Sequence, residues 1–232
     1  MTERKLIIAI DGPAGAGKST IASHLARKLD YVNLETGAMY RALGLRAIES
    51  QVPLDSEEEL ALLAQHSDIS LISTPNGNRV LLDGRDVSER IREGDVTSAA
   101  SQVSVHPAVR EWMVARQREM GRSGGVVMEG RDIGTKVFPD ADVKIFLDAN
   151  EDVRAERRVR QHSLEADSDQ SRKIAEEMRQ RDRRDASRTA SPLTAATDAV
   201  ILDSSHMSLD EVLDLVTTLV EQKLLHHSAA QS

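Results

Sequence analysis

Apolar residues along this chain fall into short unbroken runs separated by stretches with helical spacing. Leu6-Ile7-Ile8-Ala9-Ile10 opens the series; Val126-Val127-Met128, Val143-Lys144-Ile145-Phe146-Leu147 and Ala199-Val200-Ile201-Leu202 repeat its character. Runs without in–out alternation predict strands buried on both faces, as in a parallel sheet covered by helices. Tyr31-Val32-Asn33-Leu34 supplies a fifth strand. Ile21, Leu25 and Leu29 lie at i, i+4, i+8 and predict a first helix over 18–29. A second helix follows to about Glu49, and Ser56 with Glu59 has capping-box spacing for a third. His106-Pro107 starts a helix running to about Met120, with proline at its first position. Ser208 and Glu211 form a second capping box, ahead of a last helix from Leu209 to Leu225. Five parallel-type strands alternating with helices predict a doubly wound α/β fold.

Two stretches break this rhythm. Ile69 to Ser73, Arg79 to Asp83 and Asp86 to Ser88 read as three short antiparallel strands, with Asn76-Gly77 and Asp83-Gly84 as turns. They predict a small insert in the parallel-sheet domain. Residues 151–188 hold ten arginines, one lysine and ten acidic residues, with little apolar periodicity. The resulting division is a core of 1–60, 102–150 and 189–226, an insert over 61–101, an arginine-rich helical lid over 151–188 and a disordered tail over 227–232. Trp112 sits on the apolar side of its helix and is expected in the core.

Composition narrows the classes. A chain of 232 residues fits one large domain with small inserts, and aromatics at 2% leave the core to Leu, Ile, Val and Ala. The chain has no cysteine, which excludes disulfides and thiolate metal sites and suits a reducing cytoplasm. No apolar run reaches the length of a membrane span, and the apolar stretch after the charged start is too short for a signal peptide. The net charge of −8 argues against a nucleic-acid partner, so anionic ligands must be met by local arginine clusters. The seven histidines form no metal-ligating spacing.

The sharpest chemical signal is Gly12-Pro13-Ala14-Gly15-Ala16-Gly17-Lys18-Ser19-Thr20, directly after the first strand and opening the first helix. This G-x-x-x-x-G-K-[ST] string lets backbone N–H groups converge on phosphates with no Cβ in the way. Lys18 is placed to reach the β- and γ-phosphates, and Ser19 to ligate Mg²⁺. A dinucleotide fold would need a glycine at position 20, which is Thr20. The chain is therefore expected to bind a nucleoside triphosphate. No Asn-Lys-x-Asp guanine-reading string occurs, which disfavours a GTPase. Apolar runs ending in Asp83, Asp132, Asp148 and Asp203 offer several metal-side carboxylates without choosing among them.

Five further blocks stand in order: Thr36-Gly37-Ala38-Met39-Tyr40-Arg41, Gly130-Arg131-Asp132-Ile133-Gly134-Thr135, Phe138-Pro139-Asp140-Ala141, Val143 to Ala149, and Arg181-Asp182-Arg183-Arg184-Asp185 with Arg188. With the glycine loop they resemble the bacterial cytidylate kinases from Ile7 to about Leu224. The resemblance implies transfer of the γ-phosphoryl of ATP, with Mg²⁺, to CMP or dCMP by a cytoplasmic monomer. It places Arg41, Arg131 and Arg188 around the acceptor phosphate and sugar, with Lys18, Arg131 and Arg188 as the catalytic groups. Thr36 and Tyr40 lie near the same ligand, Arg181 and Asp185 near the pentose, and Ser101, Arg110 and Asp132 around the base. Arg157, with Arg154, Arg158 and Arg160, belongs to a lid over ATP. Glu35 and Glu129 depart from the family pattern, where aspartate or an uncharged residue is expected. A kinase for UMP or shikimate, or a nucleotide sensor that has lost transfer, remains the alternative at this level.

Overall fold

A computed structural model describes residues 5–74, 77–161, 168–188 and 190–229. The central sheet has five parallel strands: β1 (Ile7–Asp11), β2 (Val32–Glu35), β6 (Val126–Gly130), β7 (Val143–Asp148) and β8 (Val200–Asp203). They are ordered β2-β6-β1-β7-β8, so β1 lies at the centre, flanked by two strands from much later in the chain. The chain switches direction across the sheet at β1, and ligands of such folds bind beyond the carboxyl ends of the strands there.

Helix α1 (Lys18–Leu29) and the last helix, α8 (Leu209–Ala229), cover one face of this sheet. Ile21 and Leu25 of α1 and Val212, Val216 and Val220 of α8 bury against Ile8, Ile10, Ile145 and Leu147. On the other face, Met128 and Leu34 meet Ile133 and Val137 of a short π-helical turn and Val114 and Met120 of α5 (Pro107–Gly121). A second apolar cluster lies apart from the sheet. It joins α2 (Thr36–Glu49), α3 (Glu57–Gln65), α4 (Gly94–Val103) and α5 to the insert strands β3 (Ile69–Thr74), β4 (Gly77–Leu82) and β5 (Arg85–Asp86). Those three strands form their own antiparallel sheet, as predicted. Asp83 (φ 50°) and Gly84 (φ 80°) make the β4–β5 turn with positive φ at both central positions. Asn76 of the other predicted turn lies outside the described residues.

Several expectations need correction. Ser56 does not cap α3 through its side chain; the Glu57 carboxylate instead accepts from the Ala108 N–H of α5 at 2.7 Å. The box at α8 does form: Glu211 accepts from the Ser208 N–H at 2.8 Å, and Ser208 Oγ accepts from the Glu211 N–H at 3.3 Å. Strand β8 is not buried on both faces. It is the edge strand, and Val200 and Ile201 are 40% and 68% exposed. Helix α4 was not anticipated, although Val96, Ala99, Ala100 and Val103 recur at i, i+3, i+4, i+7 and are buried. The last helix continues to Ala229, beyond the predicted end at Leu225 and into the stretch read as a tail. Trp112 is half-buried, packed against the second cluster.

The arginine-rich stretch forms two helices, α6 (Glu151–Gln161) and α7 (Asp169–Ser187). The Ser168 hydroxyl accepts from the Ser171 N–H at 3.1 Å and caps α7. The buried positions of α7 are Ser171, Met178 and Asp185, one every seven residues, and on α6 they are Arg154 and Val159. A helix face made of arginine stems and one or two apolar side chains escapes a search for apolar periodicity.

Candidate active site

The loop between β1 and α1 is shaped by glycine. Gly12 has φ 146°, and a Cβ there would lie 1.9 Å from the Leu147 carbonyl oxygen of β7. Gly15 has φ 75°, and a Cβ would meet the Arg154 carbonyl and the Met178 side chain, each at 2.9 Å. The first glycine lets the loop cross the neighbouring strand, and the second lets α6 and α7 rest directly on the loop. Arg154 fixes that contact. Its Nε donates to Ala149 O at 2.9 Å, and its Nη1 donates to Ala14 O at 3.0 Å and to the Asp182 carboxylate. The sequence placed Arg154 in the lid without a role; the structure makes it the pin between the lid and the glycine loop.

Lys18 is buried and its Nζ donates to Pro13 O at 2.7 Å. Burial, then repulsion from Arg131 and Arg181, pushes its ammonium well below the ordinary lysine range. Glu129, buried at the end of β6, is pushed up by burial and by the neighbouring Glu35 carboxylate. Its carboxylate hydrogen-bonds Ser19, and its Oε1 is buried with no partner among the described residues. Pro13, Ala14 and Ala16 complete the loop, while Ser19 and Thr20 are exposed on the first turn of α1. Lid residue Arg157 donates to Ser204 Oγ at 3.0 Å and Ser204 O at 2.8 Å, just beyond the carboxyl end of β8.

Asp11 was not among the predicted site residues, yet it ties the loop to the turn that carries Arg131 and Asp132. Its carboxylate accepts from the Ile133 N–H at 2.8 Å and the Gly134 N–H at 2.7 Å. Burial outweighs these two donors and pushes the carboxyl up to about 6. Folded chain therefore keeps this proton at pH values where an unfolded aspartic acid, near 3.8, has lost it. Stability from this group is full below pH 4 and is lost as pH rises through 6. Comparing Asp11→Asn with the parent by urea unfolding, the parent's advantage is expected to fall by about 3 kcal/mol between pH 4 and 7. A pH-independent difference would contradict it.

Beyond the loop, the guanidinium groups gather around two aspartates. Asp185 of α7 accepts from Arg131 Nε at 2.8 Å and from Arg188 Nη1 at 3.4 Å. Burial favours its neutral form, but Arg131, Arg181 and Arg188 outweigh burial and hold the carboxyl below its ordinary range. Arg181 is drawn down to about 10 by burial and by Arg131. Arg188 also donates through Nε to Ser191 O at 2.5 Å, and its Nη2 is buried with no partner among the described residues. The second aspartate, Asp132, accepts from Arg110 Nη2, and both side chains are buried. Arg110 donates to Ser104 O at 3.2 Å and lies 5.5 Å from the Tyr40 ring centre. Ser101 Oγ, also buried, has no partner among the described residues. Thr36 donates its hydroxyl to Glu129 O at 2.8 Å, joining β2 to β6 rather than capping α2. Arg41 pairs with Glu35, and its Nε is buried without a partner among the described residues.

The structure thus brings Lys18, Arg131, Arg181, Arg188 and Asp185 into one electrostatic cluster, with Arg110, Asp132 and Tyr40 against its side. Comparison with known proteins gives the family. The sequence matches a family model described as cytidylate kinase over residues 8–222. A cytidylate kinase of Anoxybacillus flavithermus is 46% identical over 222 residues, covering 96% of this chain and 99% of the relative. One from Bacillus subtilis is 46% identical over 221 residues, covering 95% and 99%. One from Enterococcus faecalis is 46% identical over 219 residues, covering 94% and 97%.

Proposed function

The chain belongs to the cytidylate kinase family, and we propose that it transfers the γ-phosphoryl group of ATP to CMP or dCMP, giving CDP or dCDP. The observation that carries this reading is the guanidinium cluster beside Lys18, in a chain whose net charge is −8. The acceptor is a phosphate whose second pKa is near 6, so it reaches the site largely as a dianion and needs no general base. The barrier lies in bringing two polyanions into line. Lys18 and Arg131 meet the transferred phosphoryl group. Arg41, Arg131 and Arg188 hold the acceptor phosphate, for which planar forks are better suited than point charges. The buried, unpartnered Nη2 of Arg188 and Nε of Arg41 support this assignment.

A divalent cation fits the end of β6. Ser19 and Glu129 would hold Mg²⁺ there, and the unpartnered buried Oε1 of Glu129 is a hard oxygen donor suited to it. When bound, the ion neutralises charge on the β- and γ-phosphates. For the base, Asp132 and Ser101 face cytosine, with Arg110 fixing the Asp132 carboxylate. A carboxylate accepts from the cytosine N4 amino group but finds no donor on uracil. Asp185 and Arg181 face the pentose, and Gly12 to Thr20, with Arg157, face ATP. Family membership is what supports reading the chain as a monomer acting on free nucleotides in the cytoplasm. Among the described residues no helix is long and apolar enough to cross a membrane.

The test is ATP consumption with CMP, dCMP, UMP and AMP in turn. CMP and dCMP are expected to be turned over, with UMP slower by about ten- to a hundredfold. Equal rates with CMP, UMP and AMP would remove the base assignment. No turnover with any of them would leave a nucleotide-binding protein that does not catalyse transfer.

A further inference from the structure

Glu35 is the last residue of β2 and stands in register with Glu129 on β6. Two carboxylates on adjacent strand ends, at the mouth of a phosphate site, work against the binding of a polyanion. Their partners differ. Glu129 hydrogen-bonds Ser19, whereas Glu35 is partly buried and accepts from Arg41 Nη2, six residues later on α2. Arg92, from the turn after the insert's strands, attracts the same Glu35 carboxylate, and so does Arg158 of lid helix α6. Guanidinium groups from α2, the insert and the lid therefore all attract one singly charged side chain, and of these three Arg41 hydrogen-bonds it.

We infer that Glu35 is the resident anion of the acceptor-phosphate pocket, its carboxylate holding Arg41 until the monophosphate of the acceptor displaces it. A carboxylate offers two oxygens and one negative charge to these arginines. A phosphate dianion offers three oxygens and nearly two charges, so it is the better counter-ion. An ionised Glu35 left beside the bound phosphate would repel it, so the acceptor gains the Nη2 of Arg41 only as Glu35 gives it up. Acceptor affinity is set by that exchange rather than by the arginines alone, and Glu35 tunes it downward. The inference rests on the acceptor being a nucleoside monophosphate, as proposed above.

Calorimetric titration of the full chain with CMP, and separately with cytidine, tests it. Cytidine carries the base and sugar without the phosphate that competes with Glu35. In Glu35→Gln, CMP is expected to bind about tenfold more tightly, while cytidine is unchanged. Glu35→Ala is expected to shift CMP in the same direction, because it too removes the competing charge. Weaker or unchanged CMP binding in either variant overturns the inference, since it would mean that Glu35 only orients Arg41. Equal shifts for CMP and cytidine overturn it as well. A parent chain that binds no CMP would instead refute the acceptor assignment itself.

Discussion

Lys18→Met is expected to lower the rate of phosphoryl transfer from ATP to CMP by about a hundred- to a thousandfold, with no loss of thermal stability. Methionine keeps the buried volume and removes the charge. The folded chain gains little from that charge, because burial, Arg131 and Arg181 all disfavour the ammonium. Its hydrogen bond to Pro13 O lies within the loop. The charge becomes favourable only when phosphate oxygens lie against it, and most so as charge shifts between donor and acceptor in transfer. Single-turnover rates and melting temperatures of parent and variant decide the matter. A rate within threefold of the parent would remove Lys18 from the chemistry. A matching fall in melting temperature would make its role structural.

Asp132→Ala is expected to have two separable effects. The first is on stability: Arg110 would keep its charge inside the protein after losing its carboxylate hydrogen bond to Asp132, at a cost of about 3–5 kcal/mol. The second is on selectivity, with the CMP-to-UMP preference falling by about ten- to a hundredfold while ATP affinity holds. Asp132→Asn separates the two. It keeps an oxygen for Arg110 and costs less stability, but adds an amino group that cytosine N4 cannot satisfy. Comparing kcat/KM for CMP and UMP in both variants, at a temperature where each is folded, checks the expectation. An unchanged CMP-to-UMP ratio would place the base contact elsewhere.

How much of this was readable in advance depended on the kind of signal. The glycine loop was legible because its function is local: the phosphate cradle needs glycines, a lysine and a hydroxyl at fixed spacing, and these are adjacent in the chain. Strands β1, β6 and β7 were legible because both of their faces are buried. Strand β8 carries a similar apolar run, but its place at the sheet edge leaves two of its apolar side chains exposed, and a run of four residues does not record its neighbours. Helix α4 could have been found from its apolar spacing. Helices α6 and α7 were expected only as a helical lid without bounds of their own, because arginine stems and an ion-paired aspartate occupy much of their buried faces.

Asp11, Arg154 and Glu35 mark the limit most clearly. An aspartate at the end of a strand is ordinary, and only the fold brings it to the Ile133 and Gly134 N–H groups, more than a hundred residues later. Arg154 is one of ten arginines in its stretch, distinguished only by the Ala14 carbonyl 140 positions earlier. Glu35 looked like a minor departure until Arg41 was seen to hold it.

By itself the sequence determined the chemistry available: a triphosphate loop, a surplus of guanidinium groups in an acidic chain, and an order of blocks shared with one kinase family. Only the tertiary structure decided which charges neutralise one another, such as Arg131 with Asp185 and Arg110 with Asp132. Residue type and spacing follow from local backbone geometry and can be read along the chain. Pairing is set by distance in space and by burial, which the parallel sheet creates by bringing strands from opposite halves of the chain side by side.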